Sequence, residues 1–306
     1  MITVLMATYQ GARYIREQLD SILAQTAPDI RILIADDHST DGTDQIIKEY
    51  EAQYSRQITC LHYDTPSGGA AANFAQLFRQ ISSGYVMLSD QDDIWFPHKA
   101  ERLLAKLKSL EAEFGEATPI LAHSDMEVAD EHGNSVHSSF FQYQHIIPAR
   151  SRLNQLLVEN NVTGAATMVN AAMLPYLQDI PADCSMHDWW MALVACCVGQ
   201  IGWVEEPLYL YRQHGTNTLG AKTQMEQYVS RISREEQVRE NYRKMFRQAD
   251  QLQKQLEPEL TTEQKQCLQV FLSLPPKSRA EKIRTIKKFR FYKSSWVNTV
   301  GMCLNI

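Results

Sequence analysis

Short apolar runs at residues 2–7, 30–35, 58–63 and 85–89 alternate with longer stretches in which apolar residues recur every three or four positions. The first spacing predicts strands, and the second predicts helices over 14–25, 42–54, 70–81 and 98–114. In the last of these, Leu103, Leu104, Leu107, Leu110 and Phe114 form one stripe, with Lys and Glu opposite. A strand-helix rhythm of this kind predicts an α/β fold: a mostly parallel sheet, helices on both faces and right-handed crossovers.

Beyond residue 115 the pattern loosens. A strand is expected over 119–125, then a hairpin turn at 130–134, an aromatic loop over 140–150 and a polar strand entry over 160–169. Met186-His187-Asp188-Trp189-Trp190 opens an apolar helix, with Asp188 in the place of an N-cap. Two short strands follow, over 201–204 and 208–211. From Lys222 the rhythm stops: Val238, Tyr242, Met245, Ala249, Leu252 and Leu256 mark a long amphipathic helix ended by Pro258. Thr261 with Gln264, and Ser278 with Glu281, are capping-box pairs that start two further helices. The expected organisation is a domain over 1–218 with a helical extension over 219–306.

Polar residues cluster where the strands end, which is where open α/β sheets bind ligands. Asp90, Asp92 and Asp93 follow the fourth strand. On an extended segment Asp90 and Asp92 point the same way. Together they suit a hard cation, Mg²⁺ or Mn²⁺, shared with phosphate oxygens; alone, the cluster also reads as a helix-capping turn. The other two loops are Thr8-Tyr9-Gln10-Gly11 and residues 36–43, where Ser39, Thr40 and Asp41 read as caps. A calcium loop starting at Asp37 fails, because Lys48 stands where a bidentate Glu is required. His214 is a further candidate ligand, or a structural histidine.

The totals narrow the partners. A formal charge of −6 over 306 residues argues against nucleic acid, and leaves an anionic substrate dependent on a metal or helix N-termini. No run approaches the ~18 apolar residues of a membrane span, and no basic leader precedes Ile2, so a cytoplasmic protein is expected. Six cysteines without paired spacing suit free thiols. The tail 277–306 is different, with eight basic residues against Glu281 alone and aromatic and aliphatic residues between them. It predicts peripheral association with the cytoplasmic face of the inner membrane; the alternative is packing on the catalytic domain or in a homodimer through the C-terminal helices.

Three segments together, Ala7 to Gly11 with Leu19, Ser21 and Gln25-Thr26 beyond, then residues 36–43, then Ser89-Asp90-Gln91-Asp92-Asp93-Ile94-Trp95, resemble family 2 glycosyltransferases of the GT-A fold. The resemblance implies an inverting transferase that takes a nucleoside-diphosphate sugar. Thr8 and Tyr9 would line the base pocket, and Asp37 would accept the base N3–H. Asn73, behind Ser67-Gly68-Gly69, would lie near the nucleotide. Asp90 and Asp92 would hold the metal and diphosphate, His214 in Arg212-Gln213-His214-Gly215-Thr216-Asn217 would complete that site, and Asp188 would be the catalytic base. The acidic segment and the histidine segment are similar to bacterial rhamnosyltransferases that use dTDP-rhamnose to build surface polysaccharides on a lipid carrier. UDP-sugar transfer, a sugar nucleotidyltransferase and a non-catalytic scaffold are the alternatives.

Overall fold

A computed structural model describes residues 1–182, 184–215 and 235–306. The expected 218/219 boundary and the Thr216-Asn217 end of the histidine segment lie outside the described residues.

Strands β1 (Ile2–Thr8), β2 (Ile30–Asp36), β3 (Ile58–Leu61) and β4 (Tyr85–Ser89) pair in parallel in the order β3-β2-β1-β4. Helices α1 (Ile15–Leu23), α2 (Thr43–Gln53) and α3 (Ala70–Phe78) make the crossovers, so the elements lie where the periodicity places them. The second half of the sheet is mixed. It comprises β5 (Ile94–Trp95), then β6 (Ile120–Ala129) after helix α4 (Lys99–Phe114), then β7 (Ser135–His137), β8 (Thr167–Val169) and β9 (Gln200–Arg212). β8 runs antiparallel between β4 and β6, joining the halves, while β9 runs parallel to β6 and pairs with β5.

Three expectations change in detail. The two strands expected near 201–211 are one strand, β9, whose register against β6 shifts opposite Ser124, Asp125 and Glu127. Pro207 cannot donate to a ladder, so the pairing breaks and resumes around it. The loop at 140–150 begins as a short helix, α5 (Phe140–Gln144), whose N-cap Ser139 accepts from Gln142 N at 3.1 Å. Only 167–169 of the segment 160–169 is strand; a 3₁₀ turn, Gly164–Ala166, precedes it.

After a one-turn helix α6 (Leu153–Leu156) comes α7 (His187–Val198). Then follow α8 (Glu235–Gln255), α9 (Thr262–Leu272), α10 (Arg279–Phe289) and α11 (Trp296–Asn305). Both expected capping boxes are present, at Thr261 with Gln264 and at Ser278 with Glu281. One face of the sheet buries Ile15, Leu19, Ile47, Leu103 and Leu107 from α1, α2 and α4. The opposite core joins Phe74 of α3 and Trp190 of α7 to Leu252, Phe271, Ile286 and Met302 of the last four helices. The C-terminal helices therefore complete the second layer around the sheet. Among the described residues no helix is long and apolar enough to cross a membrane.

Candidate active site

The ends of β1, β2 and β4 form an open crevice whose loops are tied to one another by side chains. Asp36 accepts from Thr8 Oγ1 (2.8 Å), Ser39 N (2.8 Å) and Ser39 Oγ (2.6 Å). Gln10 N donates to Ser39 Oγ, and the Gln10 amide exchanges bonds with Thr40. Asp41 accepts from Ala12 N at 3.0 Å as well as from Thr43. Ser39 and Thr40, expected as caps, thus brace the first loop, and Gly42 is the N-cap of α2, with no capping side chain.

A second tie joins the first loop to the acidic one. Gln91 accepts from Tyr9 N and donates to Tyr9 O, both at 2.8 Å, like one rung of a sheet. A Cβ on Gly11 would stand 2.3 Å from Gln91 Oε1, so only glycine leaves room for this latch. The latch leaves the Tyr9 ring exposed over the crevice. Ser21 and Gln25 hold the other end of the acidic segment: Trp95 N donates to Ser21 Oγ (3.0 Å), and the Gln25 amide bridges Phe96 O and Ala100 N. Buried Gln18 lies between them, and with its amide oriented to accept from Trp95 Nε1 and Ser89 Oγ it donates to Asp93 O.

Asp37 leaves β2 next to the segment before α3, where Ser67 N donates to its carboxylate. Asn73 is buried and donates to Ala35 O (2.9 Å), fixing α3 against the end of β2, while its Oδ1 has no partner. Thr8 is buried with its hydroxyl committed to Asp36. Thr8 and Asn73 therefore have their side-chain donors committed to the end of β2, while the Tyr9 ring is exposed and the Asp37 carboxylate is tied to Ser67 N. A cleft of about 340 Å³ beside Asp36, lined by His38, Lys48, His62 and Tyr63, contains none of Asp90, Asp92 or Asp188.

The acidic loop is half-buried at Asp90 and Asp92 and sealed at Asp93. Burial, then Asp92 and Asp188, push the Asp90 carboxyl up to about 7. Asp93 is fully buried and raised well above the carboxylate range for the same first reason, with Arg212 N donating to it at 3.3 Å. Lys99 supplies the opposing charge. Its ammonium lies 3.8 Å from the ring centroids of both Trp95 and Tyr209, donates to Ala165 O (2.6 Å), and is held well below its ordinary range by burial. Asp92 Oδ2 is 2.7 Å from His214 Nε2, and the His214 ring stacks on Tyr14 at 4.6 Å. Arg212 closes this corner, bonding Asp92 O (2.9 Å), Glu131 O (3.0 Å) and Glu17 (2.5 Å).

Asp188 comes from the other side. The N-cap of α7 is Met186, so Asp188 lies inside the first turn rather than capping it. It accepts from Asn160 Nδ2 and Gly164 N, both at 3.1 Å, and from Trp189 N. Burial still pushes its carboxyl up to about 6 against these three donors. The turn that gives Asp188 its Gly164 N–H gives Lys99 its Ala165 carbonyl, so one 3₁₀ turn braces both charges. The preceding His187 is buried against Phe74 (4.2 Å), has neither ring nitrogen bonded, and is lowered to about 3 by burial.

The crevice therefore unites Tyr9, Asp37, Asp90, Asp92, His214 and Asp188, and the sequence reading passed over Gln18, Gln91, Lys99 and Arg212 as site builders. The donor set fits a divalent cation: Asp92 stands beside Asp90 and raises it, and among the described residues no Lys or Arg lies at ion-pair distance from either carboxylate. The described residues do not bring three His, Cys, Asp or Glu into one cage, and a cation held by Asp90 and Asp92 would need further ligands, which phosphate oxygens or water supply at such sites.

The profile described as Glycosyl transferase family 2 matches residues 3–164. Among curated proteins the chain is similar to a Shigella flexneri protein named dTDP-rhamnosyl transferase RfbG, 28% identical over 233 residues, covering 74% of this chain and 78% of that one. Its fold is similar to that of S. aureus TarS 1-349 in complex with UDP-GlcNAc, with a TM-score of 0.59 and 17% identity over 94% of this chain and 80% of that one. It also resembles the mannosyltransferase PcManGT of Pyrobaculum calidifontis in complex with GDP-Man and Mn²⁺, with a TM-score of 0.52 and 14% identity over 94% and 84% of the two chains.

Proposed function

The chain belongs to glycosyl transferase family 2, and on that premise we propose that it transfers a sugar, with inversion, from a nucleoside diphosphate to a lipid-linked saccharide of a surface polysaccharide. L-rhamnose from dTDP-rhamnose is the donor we assign, on the similarity to the Shigella protein of that name. The observation that carries the mechanism is the pairing of Asp188 with the Asp90–Asp92 loop across one crevice, close enough for Asp188 to raise Asp90.

In this reading Tyr9 stacks on the pyrimidine and Asp37 accepts its N3–H, with Ser67 N keeping the carboxylate aimed. Asp90 and Asp92 would hold Mg²⁺ or Mn²⁺, which when bound supplies charge to offset that developing on the leaving diphosphate. His214 either adds a ligand or orients Asp92; its 2.7 Å contact serves both. Asp188 removes the proton of the acceptor hydroxyl as that oxygen attacks the anomeric carbon from the face opposite the diphosphate. A carboxylate raised to about 6 is a stronger base than an ordinary Asp while still ionised at neutral pH.

A second reading is transfer from a UDP-sugar, because one carboxylate at Asp37 accepts N3–H from uracil and thymine alike. A calorimetric panel of dTDP-rhamnose, UDP-glucose, UDP-N-acetylglucosamine and GDP-mannose, each with Mn²⁺ and with EDTA, separates them. Mn²⁺-dependent binding of dTDP-rhamnose alone is the expected result. Preference for a UDP-sugar would reassign the donor, and binding of none would return the chain to a scaffold role. Pyrophosphate release from a nucleoside triphosphate and a sugar phosphate would instead mark a nucleotidyltransferase, whose phosphate loop would be richer in glycine than Ala7 to Ala12.

A further inference from the structure

We propose that the outer face of α11, together with Ile283 of α10, docks on an anionic lipid bilayer. Among the described residues eleven large apolar side chains are exposed, and six of them fall between Ile283 and Leu304. On α11 they are Trp296 (78% exposed), Val297, Val300 and Leu304 (61%), a spacing that keeps all four within an arc of about 100°. The opposite side of the helix is spent on the core, through buried Met302. α11 contains no Asp, Glu, Lys or Arg. Lys282 donates to Ile306 O at 2.7 Å, which sets its neighbour Ile283 beside the end of that stripe.

Charge identifies the occupant. The exposed Arg279, Arg284, Lys287, Lys288 and Arg290 precede the stripe, and Glu281 is the one acid between 277 and 306, in a chain whose total is −6. A two-fold dimer through this face would set the basic segment against its own copy. Anionic headgroups complement it, and Trp and aliphatic side chains enter the interface beneath them.

The face is also tied rigidly to the acceptor side of the crevice. Glu159 accepts from Ser294 N and Ser294 Oγ, both at 2.6 Å, just ahead of α11, and pairs with Arg150 at 3.0 Å. The next residue, Asn160, donates to Asp188. One strap therefore runs from the docking face to the base, and an acceptor held in the bilayer would arrive at that end of the site.

Flotation with vesicles of phosphatidylglycerol and phosphatidylcholine tests the proposal. The wild-type chain is expected to rise with them and to stay behind with phosphatidylcholine alone. Trp296→Glu and Val300→Glu, both at exposed positions, are expected to cut the bound fraction about tenfold each. Lys287→Glu with Lys288→Glu should lower binding most at low salt. Thermal melting and donor binding should match wild type in every variant. Failure of the wild-type chain to float, equal flotation of Trp296→Glu, or a dimer in sedimentation equilibrium that Trp296→Glu dissolves would overturn it. The flotation result does not depend on which sugar is transferred, so either reading can fail without the other.

Discussion

The two sides of the crevice use carboxylates in opposite ways. Around β2, Asp36 and Asp41 are saturated by N–H and O–H donors, and Asp41 is held below its usual range although burial alone would raise it. Across the crevice, burial raises Asp90, Asp93 and Asp188, the last in spite of three donors of its own. The first arrangement spends charge on shape, while the second keeps it available for a proton or a cation. The chemistry of an aspartate here follows from its donors and its dryness, not from its position at a strand end.

The largest test of that contrast is Asp188→Asn. Turnover should fall by about 10² to 10⁴ while donor affinity by calorimetry stays at the wild-type value; unchanged turnover would remove Asp188 from the role. In the proposed role Asp188 acts ionised, so wild-type rates should fall as pH drops through about 6 and the carboxylate takes up a proton. Next in size, His214→Ala should weaken Mn²⁺-dependent donor binding by about 10 to 100-fold through the loss of its contact with Asp92, leaving binding in EDTA unaltered.

A third test concerns dryness without catalysis. His123 is fully buried with no bonded nitrogen, and burial lowers it from 6.5 to about 4. The unfolded chain protonates this group first, so its contribution is intact above pH 6.5 and is lost as pH falls toward 4. By linkage the full loss is roughly 3 kcal/mol. His123→Leu should therefore gain on wild type in denaturant melts as pH falls through that window, and parallel pH curves would refute the assignment. Smallest, and confined to the shaping side, Gly11→Ala should cost about 0.5 to 1.5 kcal/mol by forcing the Gln91 amide off Tyr9. Combined with Gln91→Ala it should cost less than the sum, because the smaller side chain leaves room for the methyl.

What was legible in the sequence was whatever has a period or a local partner. The four leading strands, the stripe of α4 and both capping boxes repeat or pair within a few residues, and they lie where they were read. The carboxylates announced themselves by interrupting apolar runs. Side chains that act across the chain carried no such signal. Gln91 looks like a spacer between two aspartates, yet its partner Tyr9 is 82 residues away. Lys99 looks like the solvated start of an amphipathic helix, and only the fold places it between Trp95 and Tyr209. Asp188 reads as a cap on the local pattern alone, and only the family resemblance singles it out as a base, because its Gly164 and Asn160 donors are distant in the chain. The tail's composition was visible, but the division of Ile286 and Phe291 to the core and Trp296 and Leu304 to the outside required the packing.

Arg212 adds a matter of timing. It reaches Asp92 O across 120 residues of chain and Glu17 across 195. At the roughly 5 to 20 residues per second of synthesis, the acidic loop leaves the ribosome about 6 to 24 s before the cation that braces it. The parallel strands and the Gln91 latch have all their parts by then. A nascent chain thus holds both halves of the Gln91 latch well before it owns the arginine that braces the same loop.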